Sequence, residues 1–104
     1  MNILVVCRFG QSRSVYLKQY LTEKGYNAES AGIEENPESL RNKIDAADVI
    51  ISVQSYIQNE LKSSFDLSGK KLIALDVEDN TDQPVYTQKG LEEQIARFLP
   101  LEHP

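Results

Sequence analysis

Cys7 is the only cysteine of the 104-residue chain, and it opens the segment Cys7-Arg8-Phe9-Gly10-Gln11-Ser12-Arg13-Ser14. A thiol, an arginine six positions on, a glycine between them and a hydroxyl just beyond are the parts needed to grip a phosphoryl group. A tight loop turns successive backbone N–H groups inward, a helix N-terminus adds partial positive charge, and a guanidinium forks two oxygens. The same field, together with Ser14, favours the thiolate over the thiol. Cys7 is then a nucleophile aimed at phosphorus, Arg13 the clamp that holds phosphorus over sulfur, and Ser14 the thiolate stabiliser. Arg8, Phe9, Gly10, Gln11 and Ser12 supply the amides that line the phosphate site.

Transfer to sulfur expels an alkoxide or phenoxide, which needs a proton. The segment Asp76-Val77-Glu78-Asp79 offers carboxyl groups for that step. The same carboxylate can next act as base toward the water that hydrolyses the cysteinyl phosphate. Backbone amides and the arginine offset the charge of the group in flight, so this chemistry calls for no metal and no cofactor. A lone cysteine at a strand end is otherwise most often a small buried core residue. The arginine, serine and glycine around Cys7 weigh against that simpler account. His103 is assigned no role.

These residues work together only if the fold brings them together. Asn2 to Val6 is a near-continuous apolar run, as in a strand buried on both faces. A helix starts near Arg13 and runs from about Ser14 to Lys24, with Leu17, Tyr20 and Leu21 on one face and Gly25 as a stop. Asn27 to Ala31 reads as a short strand, followed by a loop from Gly32 to Asn36. Pro37 suits a first helical position, and Leu40 and Ile44 make that helix amphipathic. Val49 to Val53 is a second strongly apolar strand. Ser55 and Gln58 have capping-box spacing at the head of a helix carrying Ile57, Leu61 and Phe65. After a turn at Ser68-Gly69, Lys71 to Leu75 reads as a fourth strand. Asp76 to Tyr86 is polar and without period, a long loop of the functional kind. Thr87 caps a last helix whose face is Leu91, Ile95, Phe98 and Leu99. Strands alternating with helices imply an α/β fold, a parallel sheet with right-handed crossovers. Ligands of such sheets bind beyond the carboxyl ends of the strands, where the cysteine loop and the acidic loop both open.

The remaining composition narrows the field. A hydrophobic content of 40% and a charged content of 26% suit one small soluble domain spanning residues 1–104. A single cysteine cannot form an internal disulfide, so a reducing, cytoplasmic setting is expected. No apolar run approaches membrane-spanning length, and a net charge of −5 speaks against a nucleic-acid surface. In so acidic a chain Arg8, Arg13 and Lys18 stand out, although Lys18 is read as merely solvated.

Taken in order, these segments resemble the low-molecular-weight protein tyrosine phosphatases, and the likeness spans nearly the whole chain. That family has Cys-x5-Arg-Ser after the first strand, matched by Cys7, Arg13 and Ser14. Ser30-Ala31-Gly32 matches its Ser-Ala-Gly, and Asp48-Val49-Ile50 its Asp-x-Ile. Leu75-Asp76-Val77-Glu78-Asp79 fits the Leu-Asp-Ile-Pro-Asp phrase of the compact members, which nominates Asp79 as general acid with Asp76 in reserve. The resemblance implies a three-layer sandwich around a four-stranded parallel sheet in the order 2-1-3-4. It further implies hydrolysis of phosphotyrosine or a similar aryl phosphomonoester, on a phosphorylated protein or a small aryl phosphate.

Departures from the pattern are equally concrete. Gly10 stands where the family has a loop-bracing asparagine, and Ser12 where many members carry a second cysteine. Asn80-Thr81 replaces the Pro-Tyr that follows the acid, so an aromatic wall would have to come from Tyr86. Arg8 replaces an apolar rim residue, which disfavours a phenyl ring and favours an anionic leaving group. Two rival functions share the loop. The IIB phosphocarriers of sugar phosphotransferase systems have Gly and Ser where Gly10 and Ser12 stand, but Thr or Ser at the position of Arg13 and no need of an acid. A phosphate-binding module with a decayed site is the other, while arsenate reduction lacks the further cysteines it requires.

Overall fold

Four parallel strands form one sheet in the order β2-β1-β3-β4, with β1 at Asn2–Cys7, β2 at Asn27–Gly32, β3 at Val49–Ser52 and β4 at Lys71–Ala74. The computed structural model describes residues 1–102, so His103 lies outside the described residues. Between and after the strands run α1 (Arg13–Glu23), α2 (Pro37–Ala46), α3 (Ser55–Ser64) and α4 (Pro84–Ile95). This is the α/β architecture and strand order that the sequence implies.

The order follows from the side chains. β1 from Ile3 onward and all of β3 are buried, because these apolar runs take the centre and are covered on both faces. β2, which begins Asn27-Ala28-Glu29, alternates exposed and half-buried positions and takes an edge. β1 to β2 and β2 to β3 cross in opposite directions, so right-handed connections put α1 and α2 on opposite faces. Leu17 and Leu21 of α1 and Leu91 and Ile95 of α4 cover one side, with the two helices in contact. The Tyr16 hydroxyl donates to Glu92 between them, and this bond pushes the Tyr16 pKa up to about 12. Leu40, Ile44, Ile57 and Leu61 are the buried residues of α2 and α3. Each such side chain, fully buried, contributes about 1.5–3 kcal/mol relative to exposure.

Pro37 is the first helical residue of α2, and the Asn36 side chain accepts from the N–H groups of Glu38 (2.9 Å) and Ser39 (3.2 Å). Elsewhere the boundaries differ from the sequence expectation. α3 starts at Ser55 with Gln54 at the N-cap, and no side chain caps it, so the Ser55/Gln58 capping box does not form. α4 starts at Pro84 rather than after Thr87, with Gln83 at its N-cap. Proline reads as a breaker inside a loop, yet its fixed φ and missing N–H suit the first helical turn. α4 also stops at Ile95: Phe98 lies beyond it, 40% exposed, and Leu99 packs against the core from the tail. Among the described residues no helix is long and apolar enough to cross a membrane.

Candidate active site

β1 carries Cys7 to the carboxyl edge of the sheet, the chain reverses through residues 8–12, and α1 begins at Arg13. The reversal needs Gly10, whose φ is +72°. It also needs Gly32, because a Cβ there would lie 2.4 Å from the Phe9 carbonyl carbon and 2.5 Å from the Gly10 nitrogen. A Cβ on Gly10 would in turn stand 2.8 Å from the Gly32 nitrogen. Two glycines thus let the loop backbone lie flat on the end of β2, where the Ile33 and Glu34 N–H groups donate to Cys7 O (2.9 Å) and Arg8 O (3.0 Å). Direct backbone contact braces this loop in place of an asparagine side chain.

Below the loop, Glu35 holds the turn after β2. Its carboxylate accepts from the Gly32 N–H at 2.8 Å and meets Lys43 at 3.1 Å, while Lys43 also donates to Ser30 O at 3.0 Å. Burial alone would raise the Glu35 pKa, but Gly32, Ser39 and Lys43 outweigh it and hold the carboxyl below its ordinary value.

The Cys7 sulfur is buried, 3.0 Å from Ser14 Oγ, and accepts the Gly10 N–H at 3.1 Å. Burial pushes the thiol pKa up, but the Ser14 hydroxyl and the backbone N–H groups of Ser14, Gly10 and Gln11 act the other way and win. The pKa lies below that of an ordinary thiol. Arg13 is only 7% exposed. Its Nη1 donates to Gln54 Oε1 (2.5 Å) and to Val77 O (2.7 Å), while its buried Nε has no partner. Val77 is itself hung on the end of β3 through its N–H to Val53 O at 2.9 Å.

Cys7 and Arg13 line one cleft of about 410 Å³ with Arg8, Phe9, Gln11, Ser12, Tyr56 and Asp79. That volume lies at the small end of ligand clefts. Asp79 accepts from the Ser12 hydroxyl at 3.3 Å, and its loop is tied down where Asn80 N–H donates to Thr87 Oγ1 at 2.7 Å. Asp76 is not part of this cleft. Its backbone N–H and carbonyl are both taken by the Gln94 amide (2.7 and 2.9 Å), and with Glu78 and Tyr86 it lines a neighbouring groove that meets the cleft at Asp79.

One expectation about the rim is corrected. Tyr86 does not wall the cleft: it is 61% exposed and lines the neighbouring groove, and the aromatic residues lining the cleft are Phe9 and Tyr56. Arg8 lies in the cleft as a paired cation: its Nη1 meets Glu34 at 3.1 Å and its guanidinium lies 5.2 Å from the Tyr56 ring centre. Lys18 pairs with Glu29 at 3.3 Å on the surface. Sequence reasoning missed Gln54, Tyr56 and Glu34. A usable signal was their position: residues directly after β2 and β3 share the carboxyl edge with the cysteine loop.

No family model and no curated protein matches the sequence. Solved structures do match the fold. The YwlE arginine phosphatase from Geobacillus stearothermophilus superposes with a TM-score of 0.70 at 17% identity, over 99% of this chain and 98% of that one. A low molecular weight protein tyrosine phosphatase from Bacillus subtilis gives 0.65 at 21% identity, over 95% and 97%. The serine phosphatase of RNA polymerase II CTD from Drosophila melanogaster, of the SSU72 superfamily, gives 0.60 at 13% identity, over 95% and 83%. The chain has the fold of the low molecular weight protein tyrosine phosphatases.

Proposed function

We propose that the protein is a cysteine-dependent phosphatase that hydrolyses phosphotyrosine or a similar aryl phosphomonoester through a cysteinyl phosphate. One observation carries the reading: a buried arginine with an unpartnered Nε lines the same cleft as a thiol of lowered pKa. An anion with two oxygens in line is the ligand that suits both.

In the first step the Cys7 thiolate attacks phosphorus, the S–P bond forms and the P–O bond to the aryl group breaks. Asp79, as the carboxylic acid, gives its proton to the departing oxygen. In the second step the Asp79 carboxylate takes a proton from water, the water oxygen attacks phosphorus, and the S–P bond breaks to return the thiolate. The loop amides from Arg8 to Arg13, with the Arg13 guanidinium, offset the charge on the equatorial oxygens in both steps. Tyr56 offers an aromatic wall on which an aryl ring can stack. Arg13 and Asp79 also favour hydrolysis over a phosphocarrier role, which uses neither, and over simple phosphate binding, which has no use for an acid.

A second substrate, phosphoarginine, has one observation in its favour. Residues 72–88 contain no Lys or Arg, while Asp76, Glu78, Asp79 and Asp82 all lie there. A guanidine leaving group departs as a cation, which carboxylates beside the cleft would stabilise. One of the matched structures is described as an arginine phosphatase.

The test is turnover of an aryl phosphate in the presence of chelator. Activity should be inhibited by vanadate and lost in Cys7→Ser. Asp79→Asn should lower kcat by about 10²–10⁴-fold, as loss of a general acid does, and Asp76→Asn should leave it nearly unchanged. The reverse ranking would put the acid at Asp76. No turnover, with Cys7 instead phosphorylated by a phosphohistidine carrier protein, would overturn the phosphatase reading. Phosphotyrosine and phosphoarginine peptides in direct competition rank the two substrates.

A further inference from the structure

We infer that Gln54 is a positioning residue for Arg13: with the Val77 carbonyl it pins one terminal nitrogen of the guanidinium so that the opposite edge is presented to the anion. The inference rests on the phosphatase reading of the cleft. Nη1 carries two hydrogens, and both are taken, one by Gln54 Oε1 at 2.5 Å and one by Val77 O at 2.7 Å. A guanidinium is planar, so holding one nitrogen at two points fixes the plane of the whole group. What remains is the edge formed by Nε–H and its neighbouring Nη2–H, the edge that forks two oxygens of a phosphate. Nε is buried and has no partner in the protein, and a buried donor left unmet is costly, so this edge is built for a ligand.

Gln54 makes this contact at the expense of its own helix. It stands at the N-cap of α3, where a short polar side chain would satisfy a free N–H, yet no side chain caps α3. The amide reaches across to Arg13 instead. Its neutrality matters as well. Arginine only donates, so the oxygen must face it, and a carboxylate in the same place would hold the guanidinium equally well. A carboxylate would also neutralise the charge that the phosphoryl group needs and repel the dianion. An amide orients Arg13 and leaves its charge free.

Two readouts test this. The first is rotation of the Arg13 guanidinium in the free protein, followed by NMR of its side-chain nitrogens. It should be slow in the native protein and fast in both Gln54→Met and Gln54→Ala. The second is vanadate affinity, which should fall about tenfold in Gln54→Met, as for loss of one hydrogen bond to a charged group. Gln54→Glu should keep slow rotation but, relative to the native protein measured at the same pH, bind vanadate progressively less tightly as pH rises through the titration of the new carboxyl. Unchanged rotation and unchanged affinity in Gln54→Met and Gln54→Ala would overturn the inference. A native protein with no phosphatase turnover would remove the functional reading alone, since the rotation measurement stands or falls with Gln54 independently of catalysis.

Discussion

In the proposed reaction Cys7, Arg13 and Ser14 hold most of the chemistry, and their interplay is electrostatic. Burial works against the Cys7 thiolate, while the Ser14 hydroxyl 3.0 Å away and three backbone N–H groups work for it. Removing the hydroxyl in Ser14→Ala should therefore raise the thiol pKa. Measured as the rate of alkylation of Cys7 against pH, the midpoint should move to higher pH, with slower modification at neutrality. The same shift has a consequence for stability. A thiol whose folded pKa is depressed stabilises the fold above its unfolded pKa, and that contribution is lost as pH falls through the folded value. These three residues are legible in the sequence because they are nearly contiguous and one loop suffices to join them. Gln54 and Tyr56 are less so: their place directly after β3 puts them at the same sheet edge, but only the fold shows that their side chains reach the same cleft. Arg8 shows the converse: its charge is plain in the sequence, but its pairing with Glu34 depends on the turn after β2 lying against the loop.

The elements set how firmly Asp79, the proposed acid, is held. The loop between β4 and α4 is shorter than its polar composition suggests, because Pro84 starts the helix early. Thr87 then sits in the first turns of α4 and faces back, accepting the Asn80 N–H at 2.7 Å beside Asp79. In Thr87→Val that N–H loses its partner. We expect a loss of about 1 kcal/mol in urea denaturation, the usual worth of such a bond. Turnover should fall several-fold, as misplacement of a catalytic group does, with Cys7 alkylation unchanged. The existence and kind of every element are visible in hydrophobic period, since burial against the sheet demands it. Helix starts are less visible, because Pro, Thr and Ser each serve as cap, first helical residue or loop residue, and only neighbouring backbone chooses among them.

Across the whole molecule the two ends of the sheet do different work. The cysteine loop and the acidic loop lie at the carboxyl ends of the strands, whereas at the amino ends Asn2 and Asn27 line a cavity of about 360 Å³ and tie the strands to the end of α2. Asn2 donates to Ala46 O at 3.0 Å and accepts from the Asn27 amide at 2.6 Å. Asn2→Ala should lower the melting temperature by about 4–8 °C, the effect of roughly 1 kcal/mol in a domain of this size, while kcat stays at the native value. A matching fall in kcat would mean that the two ends are coupled.

Order along the chain was enough to specify the sheet and the cysteine loop: apolar runs must be buried, parallel strands need crossovers, and Cys7 and Arg13 are separated by a single turn. The tertiary structure alone chose Asp79 over Asp76 as the carboxylate beside Ser12, Tyr56 rather than Tyr86 among the residues lining the cleft, and Gln54 as the partner of Arg13. Those choices depend on how far each strand end reaches and where each helix begins. Such distances arise only when separate crossovers meet at one edge.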